Sequence, residues 1–303
     1  MSLTIVGTIA FDSIKTPFDQ VEKVIGGAAT YAGWAASYLY PQIGLVSIIG
    51  DDWPESEMKK MIARGMDIAG VEIVKNGKSF FWEGEYDQNL IDRTTLITDL
   101  NVLDDFNPVL PGPYRESDFL LLGNLTPAIQ QQVIDQMEKR PKLIAMDTMN
   151  FWIDIAREEL EKTIRQVDIL SINDEEARLL SGEYNLVRAA EKILAFGIQY
   201  LIIKKGEHGA FLFSRDKMFF APALPLQSII DPTGAGDSFA GGLMGYLARQ
   251  KSVDFQTMKM GLMYGAAMGS FCVEDFSLRK LQDLTPEVIE ARVRQLIELS
   301  SVS

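Results

Sequence analysis

The segment DPTGAGDSFAGG, residues 231–242, has the residue types and spacing best suited to chemistry in this chain. Gly234, Ala235 and Gly236 carry little or no side chain, so their backbone N–H groups can close around an anion. The helix predicted to begin near Gly236 adds unpaired N–H groups and the positive end of its dipole. These residues predict a phosphate cradle without a lysine. Asp237, in the first turn of that helix, is by itself also explained as a helix-start acid worth about 0.3–1 kcal/mol.

Several other kinds of catalytic or metal site do not fit the sequence. His208 is the single histidine, so a His–His metal site is excluded, and its glycine-flanked context predicts a surface turn rather than a Ser-His-Asp triad. Cys272, the single cysteine, excludes an intrachain disulfide and is expected to be a buried packing residue. The Gly-Lys-Ser at 77–79 has Glu72 where a P-loop needs glycine, and Phe239 stands where a dinucleotide fingerprint needs glycine.

Composition narrows the class of protein further. The chain has 303 residues, 47% of them hydrophobic, and a formal net charge of −13. This negative balance disfavours non-specific binding to nucleic acid or to anionic membranes. The N-terminal segment lacks a basic region and indicates a first strand rather than a signal peptide, and the apolar stretch 260–273 is too short for a transmembrane helix. With its lone cysteine, the sequence predicts a soluble protein of the reducing cytoplasm.

The elements that must position the cradle alternate along the chain. Short apolar strands such as IGLVSII (43–49) and KLIAMD (142–147) are separated by helical patterns, and after Asp231 the pattern is almost all helix. This alternation predicts an α/β fold with a mostly parallel central sheet flanked by helices. Residues 71–98 break the rhythm with β-rich pieces and an Asn-Gly turn, and they predict a hairpin or small sheet inserted into one domain, residues 1–303.

The full string DPTGAGDSFAGG closely resembles the C-terminal signature of the PfkB carbohydrate kinases, the ribokinase-like family. Other segments resemble the family in its expected order along the chain: GGAATYAG (26–33), IIGDD (48–52), LLGNLTP (121–127), NDEE (173–176) and IIKKGEHGA (202–210). The resemblance implies a ribokinase-like fold, in which a small β-sheet lid covers the sugar site. Most of that lid would be residues 71–98, with residues 13–25 as a candidate second piece.

The resemblance also implies a reaction, the ATP-dependent phosphorylation of an alcohol group on a small sugar-like molecule. Asp237 would be the general base, and the backbone of residues 234–236 would form an anion hole for the transferred phosphoryl group. Asn173 and Glu176 would organise Mg²⁺ through water. The same pair could equally be a helix cap and its capping partner, since the spacing serves both.

Binding residues follow by matching positions to the family's motifs. The substrate contacts that the resemblance implies are Asp12, Gly26, Gly27, Thr30 and Asp147. The ATP contacts that it implies are Lys204, Gly206, Gly209, Thr233, Gly265 and Ala266. Packing within a helix of small residues explains Gly265 and Ala266 nearly as well. Asp231 and Thr233 fall where some relatives hold a monovalent cation.

Two departures from the family's pattern bear on the substrate. Tyr31 occupies a position where many sugar-kinase relatives have Asn. The segment DTMNFWID (147–154) lacks the arginine of their Asp-x-Asn-x-Arg element and has Asn150 one place late. These departures argue against a ribose-type site. They leave nucleosides, inositol and other polyols open as substrates, along with the hydroxyl that is phosphorylated.

The lid aromatics Phe80, Phe81 and Trp82 admit more than one use. They could stack on a sugar ring or a base, or they could pack the lid itself. Because alternate residues of a strand point to opposite faces, one face could cover the substrate while the other contacts a second subunit. A homodimer formed through the lid is therefore left open.

Two further functions fit the same fold. One is a catalytically silent regulator that binds nucleotide or sugar. The presence of Asp237, its neighbouring glycines and the Asn-x-x-Glu element argues against a site that has lost its activity. The other is a vitamin-type hydroxymethyl kinase, which the predicted lid disfavours. A phosphoryl-transfer assay across sugars, nucleosides, cyclitols and vitamin precursors separates these functions.

Overall fold

The computed structural model describes residues 2–250 and 252–301, and the strands and helices below lie within these ranges. The strands are β1 Leu3–Val6, β2 Ala10–Lys15, β3 Gln20–Gly26, β4 Ile43–Gly50, β5 Met66–Val74, β6 Phe80–Tyr86, β7 Arg93–Asp99, β8 Phe119–Leu122, β9 Leu143–Asp147, β10 Ile169–Asn173, β11 Tyr200–Lys204, β12 Ala210–Phe213 and β13 Met218–Ala221. The helices are α1 Ala28–Ser37, α2 Glu55–Ala63, α3 Gly112–Arg115, α4 Pro127–Asp135, α5 Asn150–Ile155, α6 Arg157–Ile164, α7 Asp174–Ser181, α8 Leu186–Leu194, α9 Ala235–Ala248, α10 Phe255–Cys272, α11 Arg279–Gln282 and α12 Pro286–Ser300.

The larger sheet has the strand order β13-β12-β11-β10-β9-β8-β1-β4-β5. Strands from β11 to β5 pair in parallel, whereas β12 pairs antiparallel with β11 and β13. Its inner strands are buried on both faces because helices cover both: on β8, Leu121 joins one hydrophobic core while Leu120 and Leu122 join the other. The predicted mostly parallel sheet with flanking helices is therefore confirmed.

The smaller sheet has the order β3-β2-β6-β7 and draws on two separate parts of the chain. The predicted lid boundary at residue 71 was wrong, because residues 71–74 belong to β5 and pair in parallel with β4 at the edge of the larger sheet. The small sheet begins again at Phe80 and continues to Asp99. The sequences of β5 and β6 are both rich in strand-forming residues, and only a short segment with an Asn-Gly turn separates them. The local pattern therefore cannot show that the chain passes from one sheet to the other there.

The second piece of the small sheet is the hairpin of β2 and β3, which contains the candidate residues 13–25. Strand β2 also pairs in parallel with β6. Ile14 of β2 and Tyr86 of β6 are buried together with Phe276 from the body of the protein. The small sheet therefore stands on the body through its inner face, where it can act as a lid.

The chain after residue 231 is helical, as the pattern predicted. Helix α9 packs against α1, and a Cβ on Gly241 would collide with the backbone of Ala32. Cys272 is buried in α10, and His208 is exposed in a short 3₁₀ turn, so both expectations are confirmed. Among the described residues, no helix combines the length and the apolar composition needed to cross a bilayer.

Candidate active site

The carboxyl ends of the parallel strands bring predicted site residues together at one edge of the larger sheet. Asp147 ends β9, Asn173 ends β10 and Lys204 ends β11, and these three strands are neighbours. The register places Asn173 opposite Lys204. The first turn of α9 reaches the same place, since a Cβ on Gly236 would lie 3.2 Å from Lys204 Nζ. Ligands of open α/β sheets bind outside the carboxyl ends of the strands, which makes this edge the candidate active site.

The predicted anion cradle lies at the start of α9. Gly234 is the N-cap residue and has φ 76°, a left-handed backbone that favours glycine. A Cβ there would also lie 2.5 Å from ring atoms of Tyr31, so the ring fills the space behind the loop. The local sequence predicted a cradle without a lysine. The structure corrects this prediction, because the fold brings the Lys204 ammonium beside Gly236. Backbone N–H groups and a cation together can hold a phosphate.

Lys204 is held in place by an ion pair. Its Nζ donates to Asp147 Oδ2 at 2.7 Å, and both side chains are largely shielded from solvent. Burial alone would lower the pKa of Lys204, but the charges of Asp147 and Glu176 raise it, so the ammonium stays protonated. Asp147 therefore orients a cation toward the cradle, and its predicted role as a substrate contact stays a prediction.

Asp237 lies in the first turn of α9, one residue after the cradle. Burial, with the nearby charge of Asp147, raises its pKa to about 7, against the opposing charges of Lys204 and Arg93. A carboxyl that titrates near neutral pH suits general base chemistry, because it is partly ionised and still basic enough to accept a proton. Its place beside the backbone N–H groups puts proton acceptor and anion site together.

Asn173 and Glu176 form a complete capping box at the start of α7. The Glu176 N–H donates to Asn173 Oδ1 at 2.7 Å, and the Asn173 N–H donates to Glu176 Oε2 at 2.8 Å. Burial and then the charge of Asp147 raise the pKa of Glu176 to about 7. The capping interpretation is thus confirmed, while a role toward Mg²⁺ through the other Glu176 oxygen stays a prediction. Across the described residues, no group of three or more acidic, His or Cys side chains is arranged to hold a metal ion.

The predicted substrate residues near the N-terminus meet where β2 and α1 approach. Asp12 is buried, and a Cβ on Gly26 would collide with its carboxyl group. Burial, with the charges of Asp231 and Asp237, raises the pKa of Asp12 to about 8. Gly27 has φ 96° at the N-cap of α1, and Thr30 is buried in that helix. The charge of Asp237 contributes to the raised pKa of Asp12, so the two carboxyl groups share one electrostatic environment, and the roles of Asp12, Gly26, Gly27 and Thr30 as substrate contacts stay predictions.

The residues predicted to bind ATP lie in two places. Gly206 and Gly209, at φ 52° and 85°, form the turn between β11 and β12 that follows Lys204. Gly265 lies inside the contact between α9 and α10, where a Cβ would be 2.9 Å from the Phe239 carbonyl oxygen. This close approach supports helix packing as the reason for Gly265, next to the partly exposed Ala266.

Thr233 joins the cradle to the lid and to a buried acid. Its hydroxyl lies 3.1 Å from the Tyr86 hydroxyl, and its N–H donates to Asp231 Oδ1 at 2.8 Å. Asp231 is fully buried, and its Oδ2 has no hydrogen-bond partner in the described part of the chain. Tyr86 and Arg93, both on the lid, were missed by sequence reasoning, because a lid strand carries no motif that marks which residues face the site.

The family of this chain follows from a comparison with known families. Residues 4–281 match the pfkB family of carbohydrate kinases. The matched range contains the strand-end residues and the α9 cradle described above. The chain belongs to this family. It is therefore a kinase of the sugar and nucleoside class, and the match spans both the large sheet and the lid.

Relatives agree with this placement of the pfkB-family chain. A cytidine kinase from Thermococcus kodakarensis is 25% identical over 266 residues, which cover 86% of this chain and 94% of the relative. A nucleoside kinase from Methanothermobacter thermautotrophicus is 25% identical over 287 residues, 90% of this chain and 89% of the relative. The ATP and Mg²⁺ complex of an E. coli protein, provisionally designated ribokinase II, superposes with a TM-score of 0.80 at 20% identity over 97% of this chain and 99% of that one. The superposition shows that the fold is ribokinase-like.

Proposed function

We propose that this protein transfers the terminal phosphoryl group of ATP to an alcohol group of a small sugar-like substrate, with Asp237 as general base. The observation that carries the proposal is one juxtaposition at the start of α9. A carboxyl with a pKa of about 7 lies beside the backbone N–H groups of residues 234–236 and the ammonium of Lys204. Proton removal and stabilisation of phosphoryl charge are the two requirements of this reaction.

In the proposed step, the acceptor oxygen loses its proton and gains the phosphoryl group. Asp237 accepts the proton of the substrate hydroxyl as that oxygen forms its bond to the γ-phosphorus and the bond from phosphorus to the ADP oxygen breaks. The backbone N–H groups of residues 234–236 and Lys204 Nζ stabilise the charge on the transferred group, because preorganised donors need no rearrangement during reaction. Asp147 keeps Lys204 oriented through their 2.7 Å ion pair.

Glu176 and Asn173 fit a water-mediated contact to Mg²⁺. The capping box uses Glu176 Oε2 and Asn173 Oδ1, so Glu176 Oε1 takes no part in the cap. When bound, Mg²⁺ supplies charge neutralisation for the phosphates. Few protein ligands are expected for such an ion, since Mg²⁺ keeps several waters and binds largely through substrate phosphates.

Asp231 and Thr233 would hold a monovalent cation beside the cradle. Asp231 Oδ2 is buried without a hydrogen-bond partner in the described residues, and burial raises the pKa of this carboxyl to about 6. A buried carboxylate oxygen without a donor is stabilised by a cation. Turnover in potassium and in tetramethylammonium buffers of equal ionic strength tests this site, and equal rates would exclude a bound cation.

A nucleoside is the acceptor class that we favour. The relatives that span most of the chain include a cytidine kinase and a nucleoside kinase. On the lid, the partly buried Trp82 packs against the small hydrophobic core that contains Tyr86. Its ring offers an aromatic surface on which a nucleobase can stack. Tyr31, where many sugar-kinase relatives have Asn, gives a further reason to look beyond free ribose.

A substrate panel tests this function. Acceptor-dependent ADP formation should be measured with Mg²⁺ and ATP across cytidine, inosine, ribose, fructose, inositol, pyridoxal and hydroxymethylpyrimidine, with Asp237→Asn as the matched control. We expect turnover with at least one nucleoside in the wild type and its loss in the control. Turnover only with the vitamin precursors would support the hydroxymethyl kinase. ATP binding without turnover on any acceptor would support the silent regulator instead.

A further inference from the structure

The cradle at the start of α9 rests against the ring of one buried tyrosine. Gly234, its N-cap residue, has φ 76° and accepts no side-chain cap from the described residues. A Cβ on Gly234 would have its three nearest neighbours at 2.5 Å, and all three are ring atoms of Tyr31. Because glycine adopts many backbone conformations, such a loop needs outside contacts to keep its N–H groups in one arrangement. On this side of the loop, the Tyr31 ring supplies the contact.

The ring cannot withdraw from the loop, because α1 and α9 are in close contact along their length. A Cβ on Gly241 of α9 would collide with the backbone of Ala32, and one on Gly245 would lie 2.9 Å from the Ala36 carbonyl oxygen. Tyr31 itself is fully buried in the core between these helices and the sheet. A close-packed interior leaves little room for a ring to move, so Tyr31 presents a fixed surface to Gly234.

The ring of Tyr31, rather than its hydroxyl, makes this contact. Within the described residues, the hydroxyl has no hydrogen-bond partner. Burial, followed by the charge of Asp12, raises the pKa of Tyr31 well above its usual value, so the hydroxyl stays protonated at neutral pH. A hydroxyl that neither ionises nor holds a partner does not explain the position of the loop. The packing of the ring on Gly234 does.

Tyr31 also connects the two halves of the proposed site. Its N–H donates to the Gly27 carbonyl oxygen at 3.1 Å, so it lies one helical turn after a predicted acceptor contact and directly after another, Thr30. Its ring meets the loop that is expected to hold the transferred group. One short helix and one ring therefore span the distance from acceptor to phosphoryl group. A misplacement of about 1 Å between reacting groups can cost about 10²-fold in rate.

We propose that Tyr31 is a positioning residue, whose ring holds the backbone N–H groups of residues 234–236 in the geometry that stabilises the transferred phosphoryl group. It acts through Gly234 and contacts neither ATP nor the acceptor. Donors fixed before the reaction stabilise developing charge best, because they need no rearrangement during it. Without the ring, the loop would have to be ordered in each turnover. This role rests on the proposed function.

The kinetics of Tyr31→Ala and Tyr31→Phe test the role, with Trp34→Ala as the matched control. Trp34 is a buried aromatic of the same core, three residues later on α1. Tyr31→Ala and Trp34→Ala should both lower stability, since each leaves a cavity. Only Tyr31→Ala should lower kcat, by about 10–10²-fold, with little change in the acceptor KM. Tyr31→Phe keeps the ring and should stay close to wild type. If Tyr31→Ala does not fold, Tyr31→Leu, which keeps much of the volume without a planar ring, takes its place.

A binding measurement separates failure of this inference from failure of the proposed function. The affinity of each variant for ADP and Mg²⁺ is compared with and without fluoroaluminate, which mimics the transferred phosphoryl group. We expect Tyr31→Ala to bind ADP as the wild type does and to lose about 10–10²-fold of the gain from fluoroaluminate, while Tyr31→Phe and Trp34→Ala keep that gain. An unchanged gain in Tyr31→Ala, or an equal loss in either of the other two variants, would overturn the role of Tyr31. A wild type that shows the gain but turns over no acceptor would overturn the proposed function, and the same comparison would still decide Tyr31.

Discussion

Asp237→Asn gives the sharpest test of the site, because a solvated helix-start acid and a buried carboxyl with a raised pKa predict opposite changes in stability. If Asp237 only starts a helix, replacing it should leave the free energy of unfolding unchanged or lower it by about 0.3–1 kcal/mol. In the structure, however, folding raises the pKa of this carboxyl from 3.8 to about 7, chiefly by burial. The native state then binds the proton more tightly than the unfolded chain, so ionisation of Asp237 opposes folding.

The size and pH window of the effect follow from that rise. A rise from 3.8 to about 7 corresponds to a loss of up to roughly 4 kcal/mol above pH 7. Because Asp237 is partly exposed and water screens its charge, we expect Asp237→Asn to be more stable by about 1–2 kcal/mol at pH 8. The advantage should be absent below pH 4, grow as the pH rises to about 7, and then stay constant, since only the wild type loses the bound proton.

Catalysis should change in the opposite direction. Asn cannot accept the proton of the acceptor hydroxyl, and loss of a general base costs about 10²–10⁴ in rate. That factor corresponds to about 3–5 kcal/mol of barrier. ATP binding should survive, because the backbone of residues 234–236 and Lys204 are unaltered. We therefore expect a folded, more stable, nucleotide-binding protein that turns over at least about a hundredfold more slowly.

Urea unfolding at pH 4, 6 and 8, with kcat on the best acceptor of the panel, measures both effects. Asp254→Asn is the matched control, since Asp254 caps α10 by accepting from the Thr257 N–H at 2.8 Å. That hydrogen bond lowers the pKa of Asp254, so its replacement should not stabilise the protein at pH 8 or change kcat. An Asp237→Asn variant with near-normal turnover and no gain in stability would falsify the mechanism.

Three further outcomes can be measured with the same preparations. Glu176→Gln should keep the capping box but raise the Mg²⁺ concentration for half-maximal rate by about tenfold, and an unchanged Mg²⁺ titration would leave Glu176 as a cap only. Gly234→Ala should lower stability by about 1–3 kcal/mol and reduce kcat, because φ 76° and the Tyr31 ring both oppose a Cβ; normal melting and turnover would contradict the described cradle. If the lid forms a homodimer, the contact should use exposed Leu96 on β7 rather than Phe81, which packs against the core. Sedimentation of the wild type and of Leu96→Asp at micromolar concentration tests this, and a monomeric wild type removes the dimer.

The residue pattern within short segments of the sequence was enough to predict the strands and helices of the larger sheet and its flanking layers. The strands of the large sheet could be predicted because a strand buried on both faces must be apolar throughout, and its helices because their apolar residues recur at helical spacing. The cradle could be predicted because Gly234, Ala235, Gly236 and Asp237 are consecutive. The capping box of Asn173 and Glu176 could be predicted because its partners lie three residues apart.

Only the tertiary structure decided which distant residues meet at that cradle. It brings Lys204 beside Gly236, the Tyr31 ring behind Gly234, and the hydroxyl of the lid residue Tyr86 to 3.1 Å from that of Thr233. It also assigns residues 71–74 to the large sheet and the strand from Phe80 to the small one. None of these contacts has a local signature, because strand pairing and lid orientation depend on segments far apart in the chain, whose side chains become neighbours only when the core is packed.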